Sequence, residues 1–297
     1  MHPTRDFGLA PPGFRLPDET RLGTVRLQIA DLDRSVGYYQ HVLGLQVLDR
    51  VDGTVRLGAD GSDTALVELR EYAGASPVPR NGRLGLYHFA ILLPDRTALG
   101  RFVQHLDTIG ERAGASDHLV SEALYLHDPD GLGIEVYADR PRETWRHVDR
   151  QLAMGTDPLD LADLTRAAGG EAWTGMPPGT SIGHVHLHVG DIPSAATFYH
   201  DGLGLDKTVW SYPGALFLSA GGYHHHLGVN TWARGASPAG VHDARLLEWE
   251  VVVPTVESAH AAIASIEAGG HTVVITPEGG TARDPWGTRV RVVGHEA

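Results

Sequence analysis

The sequence predicts an α+β protein built from four βαβββ modules that pair into two barrel-like domains. The prediction rests on one pattern that occurs four times: an apolar strand, a turn residue and a helix rich in small residues. The four helices begin at Asp31, Asp95, Asp191 and Thr255. These starts are 64, 96 and 64 residues apart, so the copies fall into two pairs.

The first copy shows the order of elements within one module. Its predicted strand, helix and three further strands lie near 23–30, 33–43, 45–51, 54–58 and 64–71. Gly44 closes the helix, and the Asp-Gly pairs at 52–53 and 60–61 are typical of tight hairpins. The same order is predicted over 84–139, 182–233 and 246–294.

These repeats divide the chain into four regions. We expect an N-terminal lead-in (1–21, a flexible segment or an arm), a first domain of modules one and two (22–140), a linker (141–180) and a second domain of modules three and four (181–297). The linker stretch GTDPLDLADLTRAAG predicts a short helix with an Asp cap.

Composition and charge exclude several functional classes. The net charge of −13 disfavours nucleic acid and anionic membrane surfaces as partners. The sequence has no apolar run of bilayer-spanning length and no signal-peptide pattern, so we expect a cytoplasmic protein. Strand edges of paired modules could support a homo-oligomer. With 18 histidines and no cysteine, a transition-metal site must use imidazole and carboxylate ligands.

A candidate metal site emerges from one repeat position. Seven residues before the four helix starts stand Thr24, His88, His184 and Glu248. In copy two, Glu135 lies between apolar residues of the strand GIEVYAD, where a carboxylate is costly unless paired or metal-bound. His88 with Glu135 is two-thirds of a facial triad, which suits Fe(II) or Mn(II). A solvent-facing glutamate and a structural histidine are the alternative.

Copy three supplies further histidines. In HVHLHV, strand alternation places His184, His186 and His188 on one face, and His184 is preferred because it matches His88 in the repeat. In the run of three histidines, alternation sends His225 to one face and His224 and His226 to the other. Such a run can also be plain surface.

Taken together, these residues resemble the vicinal oxygen chelate superfamily, and within it the type I extradiol dioxygenases. The stretch YLHDPDGLGIE places Tyr125 ten residues before Glu135 across a DP-x-G turn, as in the family's last module. His225 resembles the catalytic histidine of the family's third module. His118 resembles its second active-site histidine, two residues closer to the tyrosine than is usual. The resemblance covers 22–295.

The resemblance implies a catechol 2,3-dioxygenase-like enzyme with a small aromatic diol and O2 as substrates. It implies Fe(II), or alternatively Mn(II), held by His88, His184 and Glu135. It further implies that His225 acts as base and later as acid, that Tyr125 hydrogen-bonds a substrate oxygen and that His118 stabilises charge on reduced oxygen.

The sequence departs from the family in the position of this site. The family carries its site in modules three and four, whereas copy four has Glu248 at the histidine position and a last strand, TRVRVV, without glutamate. The complete set of site residues is instead shared between copies two and three. We therefore predict that these two copies line one cleft and that copies one and four form a metal-free pair.

Two other functions remain compatible with the sequence. A glyoxalase-like isomerase of the same superfamily would use the metal to stabilise an enediolate. A ligand-sequestering member would bind its ligand without metal or catalysis. A purely structural paired-module protein would require the matched polar residues to be coincidental.

Overall fold

The computed structural model describes residues 7–295 and contains the four predicted modules. Module one consists of β1 (Arg21–Ile29), α1 (Leu32–His41), β2 (Gln46–Val51), β3 (Thr54–Gly58) and β4 (Ala65–Glu71). Module two consists of β5 (Gly85–Leu92), α2 (Arg96–Ile109), β6 (Gly114–Asp117), β7 (Ser121–His127) and β8 (Gly133–Asp139). The predicted strands and helix of module one agree with these bounds to within two residues.

The second half of the chain repeats the order. The linker contains β9 (His147–Val148), β10 (Gln151–Leu152) and α3 (Leu161–Ala167). Module three consists of β11 (Ser181–His188), α4 (Ile192–Ala196) with a π-helical continuation (Thr197–Gly202), β12 (Asp206–Val209), β13 (Ala215–Ser219) and β14 (Leu227–Asn230). Module four consists of β15 (Arg245–Val253), α5 (Val256–Ala268), β16 (Val273–Thr276), β17 (Gly279–Arg283) and β18 (Arg289–Gly294).

Each module helix begins at the residue that the sequence predicts. Asp31, Asp95, Asp191 and Thr255 are the N-caps, and each side chain accepts a hydrogen bond from the backbone N–H three residues later. Such caps satisfy a donor that the helix itself leaves without a partner. The predicted linker helix is also confirmed as α3, with Asp160 as its cap.

The modules pair in a nested order. One eight-stranded sheet, the 2–3 sheet, runs β12-β13-β14-β11-β5-β8-β7-β6. The other, the 1–4 sheet, runs β16-β17-β18-β15-β1-β4-β3-β2. The prediction that copies two and three share one cleft is confirmed. The sequential pairing of module one with two and of three with four is corrected, because the first strands pair antiparallel as β5 with β11 and β1 with β15. The boundaries at residues 21, 140 and 180 remain a prediction.

A continuous core joins the two sheets. One cluster of buried apolar residues includes Leu27, Phe89, Val185 and Trp249, one from the first strand of each module. Tyrosines on two helices reach turns of the following modules: the Tyr199 hydroxyl donates to Asp284 at 2.9 Å, and Tyr39 donates to Asp128 at 3.4 Å. These contacts connect modules that lie in different sheets.

The described part of the N-terminal lead-in is an arm on module three. Leu9 and Lys207 exchange two backbone hydrogen bonds of 2.9 Å, and Arg15 forms a two-point ion pair with Asp206. Leu16 is 2% exposed and belongs to the core. Residues 1–6 of the lead-in lie outside the described residues. No helix within residues 7–295 is long and apolar enough to cross a bilayer.

We expect Tyr199→Phe to lower the free energy of unfolding by about 1–3 kcal/mol, because Asp284 would lose a buried hydrogen-bond donor. Tyr38→Phe is the matched control, since the Tyr38 hydroxyl is buried without a partner and its removal is expected to change stability by less than about 0.5 kcal/mol. Urea denaturation of both variants measures the difference. Equal losses would contradict the role assigned to the Tyr199–Asp284 hydrogen bond.

Candidate metal centre and active-site cavity

Three buried side chains converge at the centre of the 2–3 sheet. His88 Nε2 lies 3.0 Å and His184 Nε2 lies 3.1 Å from Glu135 Oε2, and the two imidazole nitrogens are 3.3 Å apart. The residues are 5%, 1% and 2% exposed for His88, His184 and Glu135. Within residues 7–295 this is the one group of three histidine or acidic side chains placed closely enough to hold a metal ion. The group contains His184 and excludes His186.

Strand register explains this convergence. Ala90 on β5 is the direct neighbour of Glu135 on β8 and of His184 on β11, so the three residues form one row across the sheet. His88 is two residues from Ala90 on the same strand and therefore faces the same side. Because Ala90 has only a methyl group, the space between the flanking carboxylate and imidazole stays open.

Two local features hold these strands in place. In the hairpin of β7 and β8, Tyr125 lies directly opposite Glu135, which explains their ten-residue spacing. The turn is closed by Asp128, whose Oδ1 accepts hydrogen bonds from two backbone N–H groups at 2.9 Å. Beside His184, Gly183 permits close packing of Tyr137, because a Cβ at this glycine would lie 1.7 Å from the tyrosine oxygen.

The three ligand atoms fit a metal ion. Ligands at right angles around a metal about 2.1 Å away lie about 3.0 Å from one another, close to the separations of the three atoms. Two histidines and one carboxylate on one side form the donor set of non-haem Fe(II) sites and leave other positions open. The Nδ1 atoms of His88 and His184 are buried without a hydrogen-bond partner.

The protonation states also suit a cation. Burial tends to raise the pKa of Glu135, but the nearby His184 and His88 more than offset this effect and hold its pKa well below the usual range. Burial lowers the pKa of His184 to about 4, although Glu135 acts in the opposite direction. Near neutral pH the cluster therefore presents a carboxylate and a neutral imidazole, the forms that coordinate metals.

A cavity of ≈250 Å³ opens next to this cluster. All six predicted site residues line it: His88, His118, Tyr125, Glu135, His184 and His225. The structure thus brings together residues that are up to 137 positions apart in the sequence. Trp232 also lines the cavity, whereas Trp173 and Trp210, two other tryptophans of the chain, do not.

Two hydrogen-bond chains orient the polar groups in the cavity. His118 Nδ1 lies 2.7 Å from the carbonyl oxygen of Gly155 and donates to it, so His118 Nε2 accepts a hydrogen bond from the Tyr125 hydroxyl at 2.5 Å. Burial raises the pKa of Tyr125 well above its usual value, and Glu135 raises it further. Tyr125 therefore stays protonated at neutral pH.

The second chain runs through the histidine run. His224 Nε2 lies 2.9 Å from Asp139 and donates to this carboxylate. His224 Nδ1 then accepts a hydrogen bond of 2.7 Å from His225 Nδ1. This leaves His225 Nε2 without a proton. Burial lowers the pKa of His225 well below its usual value, so the ring is neutral. His224 and His226 are buried, so the alternative of a surface run is wrong.

Several further residues line the cavity, and all of them except His186 carry no signal that sequence analysis used. Aromatic walls come from Tyr87, Tyr212 and Phe217, and residues 154–156 of the linker cover one side. His186 also lines the cavity and accepts a hydrogen bond from Asn230 at 3.0 Å. Strand alternation placed His186 on this face, but the contribution of the linker depends on how the chain returns between modules.

The 1–4 sheet has no equivalent metal cluster among its described residues. The row that corresponds to His184–Ala90–Glu135 is Glu248–Arg26–Glu68, by strand register. Arg26 donates to Glu248 at 3.0 Å and lies 3.5 Å from Glu68. A guanidinium thus occupies the place that Ala90 leaves open in the other sheet.

Comparison with known proteins agrees with this geometry. A family model described as glyoxalase/bleomycin resistance protein/dioxygenase superfamily matches residues 21–136 and 181–292. The chain is 44% identical to a catechol-2,3-dioxygenase of Bacillus subtilis (strain 168) over 90% of this chain and 95% of that protein.

Solved structures show the same fold. A candidate dioxygenase from Bacillus subtilis subsp. subtilis str. 168 superposes with a TM-score of 0.65 at 14% identity, over 96% of this chain and 87% of that chain. Glyoxalase I from Zea mays superposes with a TM-score of 0.54 at 18% identity, over 93% of this chain and 92% of that chain.

We expect Glu135→Gln to abolish retention of Fe(II) or Mn(II), because the cluster would lose its only anionic ligand. Substitution of residues that only support the ligands of a metal site costs about 10–100-fold in metal affinity. Because Glu135 is itself a proposed ligand, we expect its substitution to lower metal affinity by more than about 100-fold. Metal analysis after anaerobic loading and gel filtration measures it. Glu68→Gln, at the same repeat position in the 1–4 sheet, is the matched control and is expected to retain the metal. Equal metal content in both variants would contradict the assignment.

Proposed function

We propose that this chain, which belongs to the glyoxalase/bleomycin resistance protein/dioxygenase superfamily, is an extradiol dioxygenase that opens a catechol-type ring next to its two hydroxyls. The observation that carries the proposal is a buried cluster of two histidines and one glutamate on a cavity that is also lined by Tyr125, His118 and His225. The 44% identity to a catechol-2,3-dioxygenase over 90% of the chain supports the same reaction.

The proposed metal ligands are His88, Glu135 and His184, and the proposed metal is Fe(II), with Mn(II) as the alternative. When bound, the metal supplies a Lewis acid and a template on which the diol and O2 meet. Around it, the cavity of ≈250 Å³ lies below the range of about 300–1,000 Å³ typical of pockets for drug-sized ligands, which suits a single-ring substrate. The aromatic side chains of Tyr87 and Phe217 form flat apolar walls for such a ring.

His225 is the proposed base. Its Nε2 has no proton in the tautomer that His224 and Asp139 impose, so it can accept one from a substrate hydroxyl. The imidazolium that forms would keep its Nδ1 proton directed to His224. It can later return the Nε2 proton to the product as an acid.

Tyr125 and His118 are proposed to bind oxygen atoms of the reactants. The Tyr125 hydroxyl donates to His118, and its oxygen retains a lone pair that can accept from a substrate hydroxyl. His118 is held by the linker through Gly155, so its Nε2 stays at the cavity wall. His118 is proposed to stabilise negative charge that develops on oxygen during the reaction.

We expect the protein loaded anaerobically with Fe(II) to consume oxygen and form a yellow ring-fission product when catechol and air are admitted. Oxygen electrode and absorbance traces measure both signals, and Glu135→Ala is expected to lose both. Metal retention without oxygen uptake across a panel of substituted catechols would favour a metal-dependent isomerase. A protein that binds catechols without retaining metal would favour ligand sequestration.

We expect His225→Gln to reduce kcat/KM by about 10²–10⁴-fold with metal content unchanged, because general acid–base catalysis contributes that much. His226→Gln is the matched control: it is the next residue, equally buried, and its Nδ1 bonds to Ser219 and Ala220 away from the cavity. Steady-state kinetics corrected for bound metal compare the two variants. A similar loss in both would assign the effect to packing and contradict the proposed base.

A further inference from the structure

The 1–4 sheet contains a second cavity, of ≈400 Å³, on the face that corresponds to the metal-bearing face of the 2–3 sheet. Its charged lining residues are five arginines and three glutamates: Arg26, Arg70, Arg245, Arg283, Arg289, Glu68, Glu71 and Glu248. The cavity therefore carries an excess of positive charge in a chain whose net charge is −13. Nothing in the proposed dioxygenase reaction uses this excess.

The glutamates of the cavity are already engaged. Glu68 and Glu248 flank Arg26 in the row described above, and Glu248 also lies 3.7 Å from Arg289. Glu71 accepts a hydrogen bond from the backbone of Leu32 at 3.1 Å. None of these three carboxylates forms an ion pair with Arg70, Arg245 or Arg283.

The neighbouring row of the sheet carries the unpaired cations. Gln28 on β1 is the direct neighbour of Arg245 on β15 and of Arg70 on β4. Neither arginine side chain forms a hydrogen bond or ion pair with any residue in the range 7–295. Because the two arginines are separated by two strand spacings, their backbones lie about 10 Å apart, which leaves room for a small ion between the guanidinium groups.

The middle residue of this row is fixed and does not fill the gap. The Gln28 side-chain nitrogen donates to the carbonyl oxygens of Val241 and Asp243, at 2.8 Å each. The amide is thereby tied to the loop before β15 instead of to either arginine. The same loop contacts a lining residue of the cavity, since the Tyr72 hydroxyl lies within hydrogen-bond distance of His242 Nδ1.

The charge on Arg245 is unfavourable without a ligand. Its Nε is buried and has no hydrogen-bond partner. Burial lowers the pKa of Arg245, and the nearby Arg283 and Arg289 lower it further, although Asp243 acts in the opposite direction. An unpaired buried donor and like charges are costly, so a bound anion would offset both.

We propose that Arg245 and Arg70 bind a small carboxylate or phosphate anion between them in the cavity of the 1–4 sheet. Both groups present oxygens that match the paired N–H donors of guanidinium. Arg283 and Arg289 would add to the attraction from the neighbouring strands β17 and β18.

Isothermal titration calorimetry of the purified full chain with inorganic phosphate, and separately with malonate, tests the proposal at constant ionic strength. We expect saturable binding of at least one anion, weakened at least tenfold in Arg245→Met and in Arg70→Met. Arg112→Met removes an exposed arginine on the segment after α2, outside the cavity, and is the matched control, expected to bind as the unmodified chain does. Binding of phosphate alone or of malonate alone identifies which anion class the site prefers.

A second measurement separates this site from the metal cluster. Glu135→Gln is expected to bind the anion with unchanged affinity, and loss of binding in that variant would assign the anion to the metal cavity and overturn the proposal. Absence of saturable binding for both anions, or unchanged affinity in Arg245→Met and Arg70→Met, would also overturn it. If Arg245→Met does not fold, the more exposed Arg70→Met decides. The result is independent of whether the chain cleaves catechols.

Discussion

The antiparallel pairing of β5 with β11 is the constraint on which the metal centre depends. It sets the central row of the 2–3 sheet, with Ala90 between Glu135 and His184, and it places His88 beside that row. Any slip of one residue would turn these side chains to the opposite face of the sheet. The same pairing brings the tyrosine hairpin of module two and the histidine run of module three to one cavity.

The two sheets show how one architecture holds different chemistry at equivalent positions. In the 2–3 sheet, a methyl group between an imidazole and a carboxylate leaves space for a cation. In the 1–4 sheet, Arg26 places its own cation between Glu248 and Glu68. One row of side chains thus decides whether the centre of a sheet is open to a metal ion, as in the 2–3 sheet, or filled by an internal ion pair, as in the 1–4 sheet. The next row of the 1–4 sheet, Arg245–Gln28–Arg70, carries two arginine side chains that form no ion pair.

The linker has a larger part in the site than its position between modules suggested. The linker supplies the helix α3, which packs closely on α2: a Cβ at Gly100 would lie 2.4 Å from the Leu164 carbonyl oxygen. The linker also supplies residues 154–156, which line one side of the cavity. Gly155 fixes the tautomer of His118 through its carbonyl oxygen. A connection between modules therefore orients a polar group in the proposed active site.

The sequence alone determined the four modules, their helix caps and the repeat position shared by His88 and His184, because periodicity, capping and repeat position are local properties. The expectation that Tyr125, His118 and His225 belong to the same site came from the resemblance to a known family. The sequence also indicated that copies two and three hold the site, since the histidines and the glutamate occur only there in full. Tertiary structure decided the rest. Which strands become neighbours determines that Arg26 lies between Glu248 and Glu68. Contacts between distant segments determine that Asp139 and His224 orient His225, because no local pattern records which side chains the fold brings together.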